Sequence, residues 1–325
     1  MHGIALFIAG LVLLSIGAEM ILRGASRLAA SLGIEPLILG LTVVSIGTSM
    51  PELAVGITAS REGSGALAVG NIAGANMINI LFILGLSALL RPLPLHLQVL
   101  KLDLPVMVVA AVMMTVLAWD GVLTPLDGGL LFGAAILYTA VLVRASRGET
   151  QAVKTEFKEM YDSDLKSRWT AAQGMLKYAI LLAGGMGLTV LGADWLLDGA
   201  VDIARAIGLT EAVIGLTIVS IGTTAPELAT TVVATIKDER NVAVGNLLGS
   251  SIYNIFVIMG LICIASPGGV PVEEGLLYFD IPLMVGVAFL CIPVFVTGRR
   301  VSRLEGGAFI TFYAVYLLWL LIGSR

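Results

Sequence analysis

The chain has 325 residues, of which 58% are hydrophobic and 13% are charged, and its mean hydropathy is +0.98. A soluble domain of this length could not bury so much apolar surface, so the composition excludes an ordinary water-soluble protein and indicates a membrane protein. The formal net charge of −4 favours no particular partner.

Cysteine and histidine usage narrows the chemistry further. Cys263 and Cys291 lie within apolar stretches, so neither a disulfide framework nor a thiolate metal cluster is expected. His2 and His96 lie at the N-terminus and in a loop, which removes the usual zinc ligands and general bases. We therefore expect neither an enzyme nor a bound prosthetic group.

Apolar segments of roughly 20 residues, long enough to cross a bilayer, recur along the chain. The first begins almost at Met1 without a basic leader or a small-residue cleavage site, which predicts a retained span. The predicted spans are residues 3–22, 36–60, 66–90, 102–119, 125–144, 174–204, 211–236, 242–265, 276–297 and 305–322. The predicted fold class is therefore an all-α polytopic membrane protein with ten transmembrane helices.

One long polar stretch, residues 145–173, divides the predicted spans into two groups of five. We expect residues 1–144 and 174–325 to form two five-helix repeats joined by this linker loop. Basic residues are retained in cytoplasmic loops, and an outward N-terminus places 16 of the 19 Lys and Arg residues on the inner side. The sequence thus predicts both termini outside and the linker in the cytoplasm.

Two segments of the chain are copies of one motif. Residues 40–92 begin GLTVVSIGTSMPELA, residues 215–267 begin GLTIVSIGTTAPELA, and 24 of the 53 aligned residues are identical without a gap. Because five predicted spans separate the copies, the second crosses the membrane in the opposite sense. In secondary transporters, such inverted repeats meet near the bilayer midplane, where interrupted helices form the substrate site. The repeat therefore predicts transport by alternating access.

Each copy carries a carboxylate on a polar helical face. The spacing i, i+3, i+4 and i+7 places four polar side chains on one side of a helix. They are Ser45, Thr48, Ser49 and Glu52 in the first copy, and Ser220, Thr223, Thr224 and Glu227 in the second. A carboxylate inside the membrane is costly, so we expect both glutamates to face a polar cavity or a cation.

Prolines beside these glutamates predict interrupted helices. Pro51 and Pro226 have no N–H, so each leaves the carbonyl four residues earlier without its helical partner. The broken turns can direct carbonyl, hydroxyl and carboxylate oxygens at one point, which is the ligand set of a hard cation such as calcium. The following helices carry Asn79 and Asn254 at equivalent positions, where neutral amides can add oxygen without charge.

Both copies resemble the alpha-repeats of the cation/calcium exchanger superfamily, especially its prokaryotic sodium/calcium exchangers, over essentially the whole chain. The resemblance implies a calcium/sodium antiporter of a prokaryotic cytoplasmic membrane. Its expected partners are calcium, sodium and the lipid bilayer, with no nucleic acid. The resemblance also implies that helices 1 and 6, the first and sixth predicted spans, slide across the rest of the bundle. The implied ion ligands are the carboxylates of Glu52 and Glu227, the hydroxyls of Ser49 and Thr224, the main-chain carbonyls of Thr48, Thr223, Ser45 and Ser220, and the side chains of Ser250, Asn79 and Asn254.

The chain departs from the superfamily pattern at two positions. Ala75 is equivalent to Ser250, whereas well-described relatives have a serine hydroxyl in both copies, so we expect one sodium site to be weaker. Asn254 stands where some relatives carry an aspartate, and potassium-dependent members rely on an acid in this region. Potassium cotransport is therefore not expected.

The main alternative is a proton/calcium antiporter of the same superfamily, or one for another divalent cation, because an acidic pair can also exchange protons. The hydroxyl-rich GTSMPE and GTTAPE turns favour sodium. A cation channel fits less well, because inverted repeats and broken helices around paired carboxylates favour alternating access over a continuous pore.

Overall fold

The computed structural model describes residues 2–32, 36–148, 168–206 and 220–323, nearly all of them in helices. The helices are α1 (His2–Leu32), α2 (36–48), α3 (Met50–Arg61), α4 (Gly65–Leu90), α5 (Val99–Leu117), α6 (Pro125–Gly148), α7 (Arg168–Ala206), α8 (Ser220–Thr223), α9 (Ala225–Ile236), α10 (Arg240–Ile264), α11 (Leu276–Arg299) and α12 (Arg303–Gly323). Four short strands lie in loops, namely β1 (Leu93–Pro94), β2 (Val122–Leu123), β3 (Val270–Pro271) and β4 (Arg300–Val301).

The helices confirm a polytopic membrane fold. Seven of those in the described ranges are long and apolar enough to cross a bilayer, and α2 with α3 makes an eighth if the bent pair is one span. Large apolar side chains such as Ile4, Val109 and Ile136 are exposed on the outside of the bundle, where hydrocarbon would cover them. The predicted number of ten spans is not reached by these criteria, since α12 is not among the seven, α9 is short and residues 207–219 lie outside the described part.

Several helices are longer than their predicted spans. The first continues ten residues beyond position 22 to Leu32, because Ala25 and Ala29 remain buried while Arg23 and Arg27 point outward. At the polar stretch between the two groups of spans, α6 ends at Gly148 and α7 begins at Arg168. The ends of the predicted linker, residues 145–173, are thus helical, and residues 149–167 lie outside the described ranges.

The predicted span 36–60 is two helices that meet at Ser49 with a bend of 40°. Pro51 lies in the first turn of α3, where its missing N–H is tolerated. In the second copy, the chain breaks again at Thr224, and Pro226 occupies the matching place in α9. Both interruptions occur where the prolines predict them, and each leaves a glutamate in the first turn of a helix.

Two π-helical turns occupy related places in the two copies. Residues Ile78–Leu84 form one within α4, and residues Asn254–Met259 form the other within α10. A π turn adds a residue to the helical turn, so it changes the direction in which the following side chains point, and such turns are frequent at functional sites. Asn79 and Asn254 both lie at the start of these turns.

The short strands join loops from different halves of the chain. The pair β1–β4 connects the loop after α4 to the loop before α12, and the pair β2–β3 connects the loop after α5 to the loop after α10. Paired loops must lie on the same side of the membrane. This arrangement agrees with the predicted order of spans, which places the two loops of each strand pair on the same side of the membrane.

Helices α1 and α7 pack directly against each other through glycines spaced seven residues apart. A spacing of seven residues is the period of a coiled coil. Because the two helices run antiparallel, this spacing places the glycines of α1 against the glycines of α7. The glycines are Gly3, Gly10, Gly17 and Gly24 on α1, and Gly185, Gly192 and Gly199 on α7. A Cβ atom added at Gly192 would lie 2.7 Å from the Leu14 nitrogen, so the backbones touch without intervening side chains.

We predict that Gly192→Ala destabilises the protein by about 1–3 kcal/mol, because the new methyl group meets backbone that cannot move aside. Gly187→Ala is the matched control, since a Cβ at this exposed glycine of α7 would contact nothing within 4 Å. Thermal unfolding in detergent compares the two variants. Equal unfolding temperatures would show that the glycine contacts do not hold the pair together.

Candidate ion-binding site

The predicted site residues lie in the buried centre of the bundle, where α2, α3, α4, α8, α9 and α10 meet. Their side chains are at most 5% exposed wherever the structure describes them. They are Ser45, Thr48, Ser49, Glu52, Asn79, Thr223, Thr224, Glu227, Ser250 and Asn254. Ser220 begins α8, but its side chain is outside the described part.

The two copies meet directly at the glutamates. The Ser49 hydroxyl donates a hydrogen bond of 2.9 Å to Glu227 Oε1, which links the break between α2 and α3 to α9. Glu52 and Glu227 lie near enough to repel each other, and Thr48 and Ser250 also lie beside the Glu227 carboxyl. One carboxylate from each repeat therefore shares a single buried space, as the inverted duplication predicts.

Several oxygen atoms around this space have no hydrogen-bond partner in the described part of the chain. Neither carboxyl oxygen of Glu52 has a hydrogen-bond partner, and the same is true of Glu227 Oε2. The Ser250 hydroxyl, both polar atoms of the Asn79 amide and the Asn254 Oδ1 atom are likewise unpartnered. A buried polar atom is normally paired, so this concentration of exceptions marks the place where oxygen ligands are available to a cation.

The charge of the site is not offset by basic side chains. None of the ion pairs within the described ranges includes Glu52 or Glu227. No three His, Cys, Asp or Glu side chains come together in those ranges either, so the other side-chain oxygens near the two glutamates belong to hydroxyls and amides. Two carboxylates with neutral oxygens around them suit one divalent cation or more than one monovalent cation.

Asparagines of the opposite repeat hold the threonines of the broken helices. The Thr48 hydroxyl contacts Asn246 Oδ1 at 3.3 Å, and the Thr223 hydroxyl contacts Asn71 Oδ1 at 3.5 Å. Asn246 also donates to the Thr231 hydroxyl at 3.1 Å. Asn71 and Asn246 therefore hold the threonines in place. Their contacts favour a packing role over ion ligation for both asparagines.

Ser45 faces α10 rather than the glutamates. Its hydroxyl donates to the carbonyls of Gly40, at 2.6 Å, and Asn246, at 3.0 Å. Its own carbonyl accepts the Ser49 N–H at 3.1 Å and lies 3.3 Å from the Thr48 hydroxyl. In this conformation the carbonyl predicted as a sodium ligand is bonded within its own helix.

Asn76 is an amide of the first repeat that the sequence places near the site but not among the predicted ion ligands, and its side chain contacts the ligand set directly. Asn76 is 2% exposed, and its Oδ1 accepts a hydrogen bond of 3.3 Å from Asn254 Nδ2. The two asparagines are 178 residues apart in the chain. No local pattern connects them, and only the equivalence of α4 and α10 within the internal repeat could have suggested the contact.

Comparison with known proteins identifies the family. The sequence model of the sodium/calcium exchanger protein family matches residues 2–144 and 177–322, which is most of the chain. The chain belongs to this family. The resemblance drawn from the two repeated motifs is thereby confirmed, and the protein is an integral membrane antiporter of the calcium-exchange type.

Relatives of this exchanger family cover nearly the whole chain. The inner membrane protein YrbG of Escherichia coli is 36% identical over 97% of both chains, and the sodium/calcium exchanger MaX1 of Methanosarcina acetivorans is 31% identical over 96% of this chain and 97% of its own. The solved structure of the sodium-calcium exchanger NCX_Mj, soaked with 10 mM Na⁺ and zero Ca²⁺, has a TM-score of 0.82 at 26% identity and covers 98% of both chains. The bundle is thus an exchanger fold.

We predict that Ser49→Ala weakens the apparent affinity for the transported cation by at least about tenfold, because it removes the hydroxyl bonded to Glu227. Ser15→Ala is the control, since Ser15 is an exposed hydroxyl on α1 that bonds only to the Leu11 carbonyl of its own helix. Equilibrium binding of radioactive calcium to both purified variants makes the comparison. An unchanged affinity in Ser49→Ala would show that the Ser49–Glu227 contact does not contribute to the site.

Proposed function

We propose that this protein exchanges calcium for sodium across a prokaryotic cytoplasmic membrane by alternating access. The observation that carries the proposal is the pair Glu52 and Glu227, which are fully buried and close together. Three of their four carboxyl oxygens have no hydrogen-bond partner among the residues that the structure describes. Calcium takes about 6–8 oxygen ligands, which two carboxylates, hydroxyls and amide oxygens supply together. The same oxygens serve sodium, so the two ions compete for one site.

Competition at a shared site is the basis of the coupling. Two negative charges bind one calcium ion or several sodium ions, and binding of one species excludes the other. Glu52 and Glu227 are the shared ligands in this scheme, with Ser49 and Thr224 providing hydroxyls. Thr48, Thr223, Ser45 and Ser220 would provide main-chain carbonyls at the broken turns, so the Ser45 carbonyl must leave its helical bonds when sodium binds.

The two repeats would not provide equal sodium sites. Ser250 supplies an unpartnered, fully buried hydroxyl in the second copy, whereas the equivalent Ala75 has none. Asn79 and Asn254 contribute neutral amide oxygens rather than a third charge. The site consequently has a formal charge of −2 when both glutamates are ionised, which balances one calcium ion.

Sodium coupling is supported by the hydroxyls around the glutamates and by the printed name of the relative MaX1, a sodium/calcium exchanger. Proton coupling is the second candidate, because unpartnered buried carboxyl oxygens such as those of Glu52 also accept protons.

The basic residues of the predicted inner loops support the orientation with both termini outside and residues 145–173 in the cytoplasm.

A gradient experiment distinguishes the two couplings. Purified protein in liposomes loaded with sodium is expected to take up radioactive calcium when an outward sodium gradient is imposed at equal pH. An outward proton gradient without sodium is expected to give no uptake above that of empty liposomes. Uptake driven by the pH gradient alone would replace sodium with protons as the counter-ion, and no uptake with either gradient would refute calcium exchange.

We predict that Glu52→Gln and Glu227→Gln each reduce sodium-driven calcium uptake to the level of empty liposomes, because one of two charged ligands is lost. Glu62→Gln is the matched control, since Glu62 is exposed just beyond the end of α3. Size-exclusion chromatography in detergent checks that all three variants fold. Normal uptake by either site variant would remove that glutamate from the proposed site.

A further inference from the structure

The side-chain amide of Asn254 has a defined orientation because of its contacts with α4. Asn254 is fully buried at the start of a π turn, and its Nδ2 donates to Asn76 Oδ1 at 3.3 Å. Its Oδ1 has no partner. An asparagine offers an oxygen on one side and an N–H group on the other, so a site that uses the oxygen must prevent the amide from rotating.

Asn76 is itself held in one orientation by groups that only accept hydrogen bonds. Its Nδ2 donates to the main-chain carbonyl of Ser251 at 3.2 Å and lies 3.7 Å from the Met284 sulfur. A carbonyl cannot donate, so the nitrogen of Asn76 must face Ser251 and its oxygen must face Asn254. That oxygen in turn requires the nitrogen of Asn254, which leaves the Asn254 oxygen on the side of the amide away from Asn76.

The helical face that carries Asn254 also borders Glu227. Ser250 precedes Asn254 by four residues on α10 and therefore lies on the same helical face. Ser250 lies beside the Glu227 carboxyl. We propose that Asn76 is a positioning residue that fixes the Asn254 amide with its oxygen toward the ion site. This inference rests on the proposed function, because it assumes that Asn254 is an ion ligand.

Within the described ranges, this support exists in one copy of the internal repeat and not in the other. Asn76 and Ser251 occupy equivalent positions of the two copies and contact each other, so they lie where the pseudo-twofold relation brings α4 and α10 together. Ser251 donates its hydroxyl to the Leu247 carbonyl at 3.0 Å and does not reach Asn79. Asn79 has no partner at either polar atom. The two amides of the site are therefore held differently, one by Asn76 and one by no neighbouring side chain of the described part.

The test exploits the difference between an amide and a carboxylate. Asn76→Ala releases the Asn254 amide, so we expect the KM for calcium to rise about five- to tenfold while the maximal rate changes less than about twofold. An aspartate at position 254 offers oxygen in either orientation and needs no positioning. Adding Asn76→Ala to Asn254→Asp should therefore change the KM less than about twofold. Ser87→Ala, which removes a fully buried and unpartnered hydroxyl from the same helix, is the matched control and should behave as wild type.

Initial rates of sodium-driven calcium uptake in liposomes give KM and maximal rate for all five proteins. Equilibrium binding of radioactive calcium gives the same comparison for any variant that transports too slowly. An unchanged KM in the Asn76→Ala variant would overturn the inference. The same conclusion would follow if Asn76→Ala raised the KM equally in the wild-type protein and in the Asn254→Asp variant. Failure of the proposed function is a separate result, since wild-type protein would then take up no calcium with a sodium gradient.

Discussion

Burial of two acidic groups in one small space is the constraint on which this structure depends. Glu52 and Glu227 are withdrawn from solvent, lie close together and have no basic side chain paired with them in the described ranges. Such an arrangement is unfavourable unless cations or protons compensate the charge. The surrounding features reduce that cost, because each glutamate lies in the first turn of a helix, where the helix dipole favours negative charge.

Bringing the two carboxylates together requires helices that both break and approach closely. Prolines interrupt the helices that carry the glutamates, while glycines on α10 allow α2 to come near. A Cβ atom at Gly245 would lie 2.6 Å from the Leu37 carbonyl oxygen, so a larger residue would push the two repeats apart. The site is therefore maintained by backbone geometry as much as by its ligands, which explains why small residues are frequent in the repeated motifs.

The features predicted correctly from sequence are those encoded locally or by repetition. Pro51 and Pro226 determine the breaks through their missing N–H groups, and the duplication relates Glu52 to Glu227 without any structural information. The extension of α1 to Leu32 was missed because apolar length alone ignores alanines that remain buried between exposed arginines. The link between Asn76 and Asn254 depends on how α4 crosses α10, and the direction of an amide depends on a carbonyl in another helix, so neither is visible in a local pattern.

The strand pairs also divide the molecule mechanically. The ribbon β1–β4 fastens loops of the two repeats together on one face of the membrane, and β2–β3 does the same on the other face. Helices α5 and α11 adjoin a paired loop at both of their ends, and α4, α6, α10 and α12 adjoin one at a single end, so the strand pairs join these helices into one frame. Within the described ranges, α1 and α7 have no strand of their own, and they contact each other through glycine backbone and through side chains such as Ile21 and Leu182. A displacement of this pair relative to the frame would break no strand pairing of the described ranges, so the two ribbons place no constraint on its position.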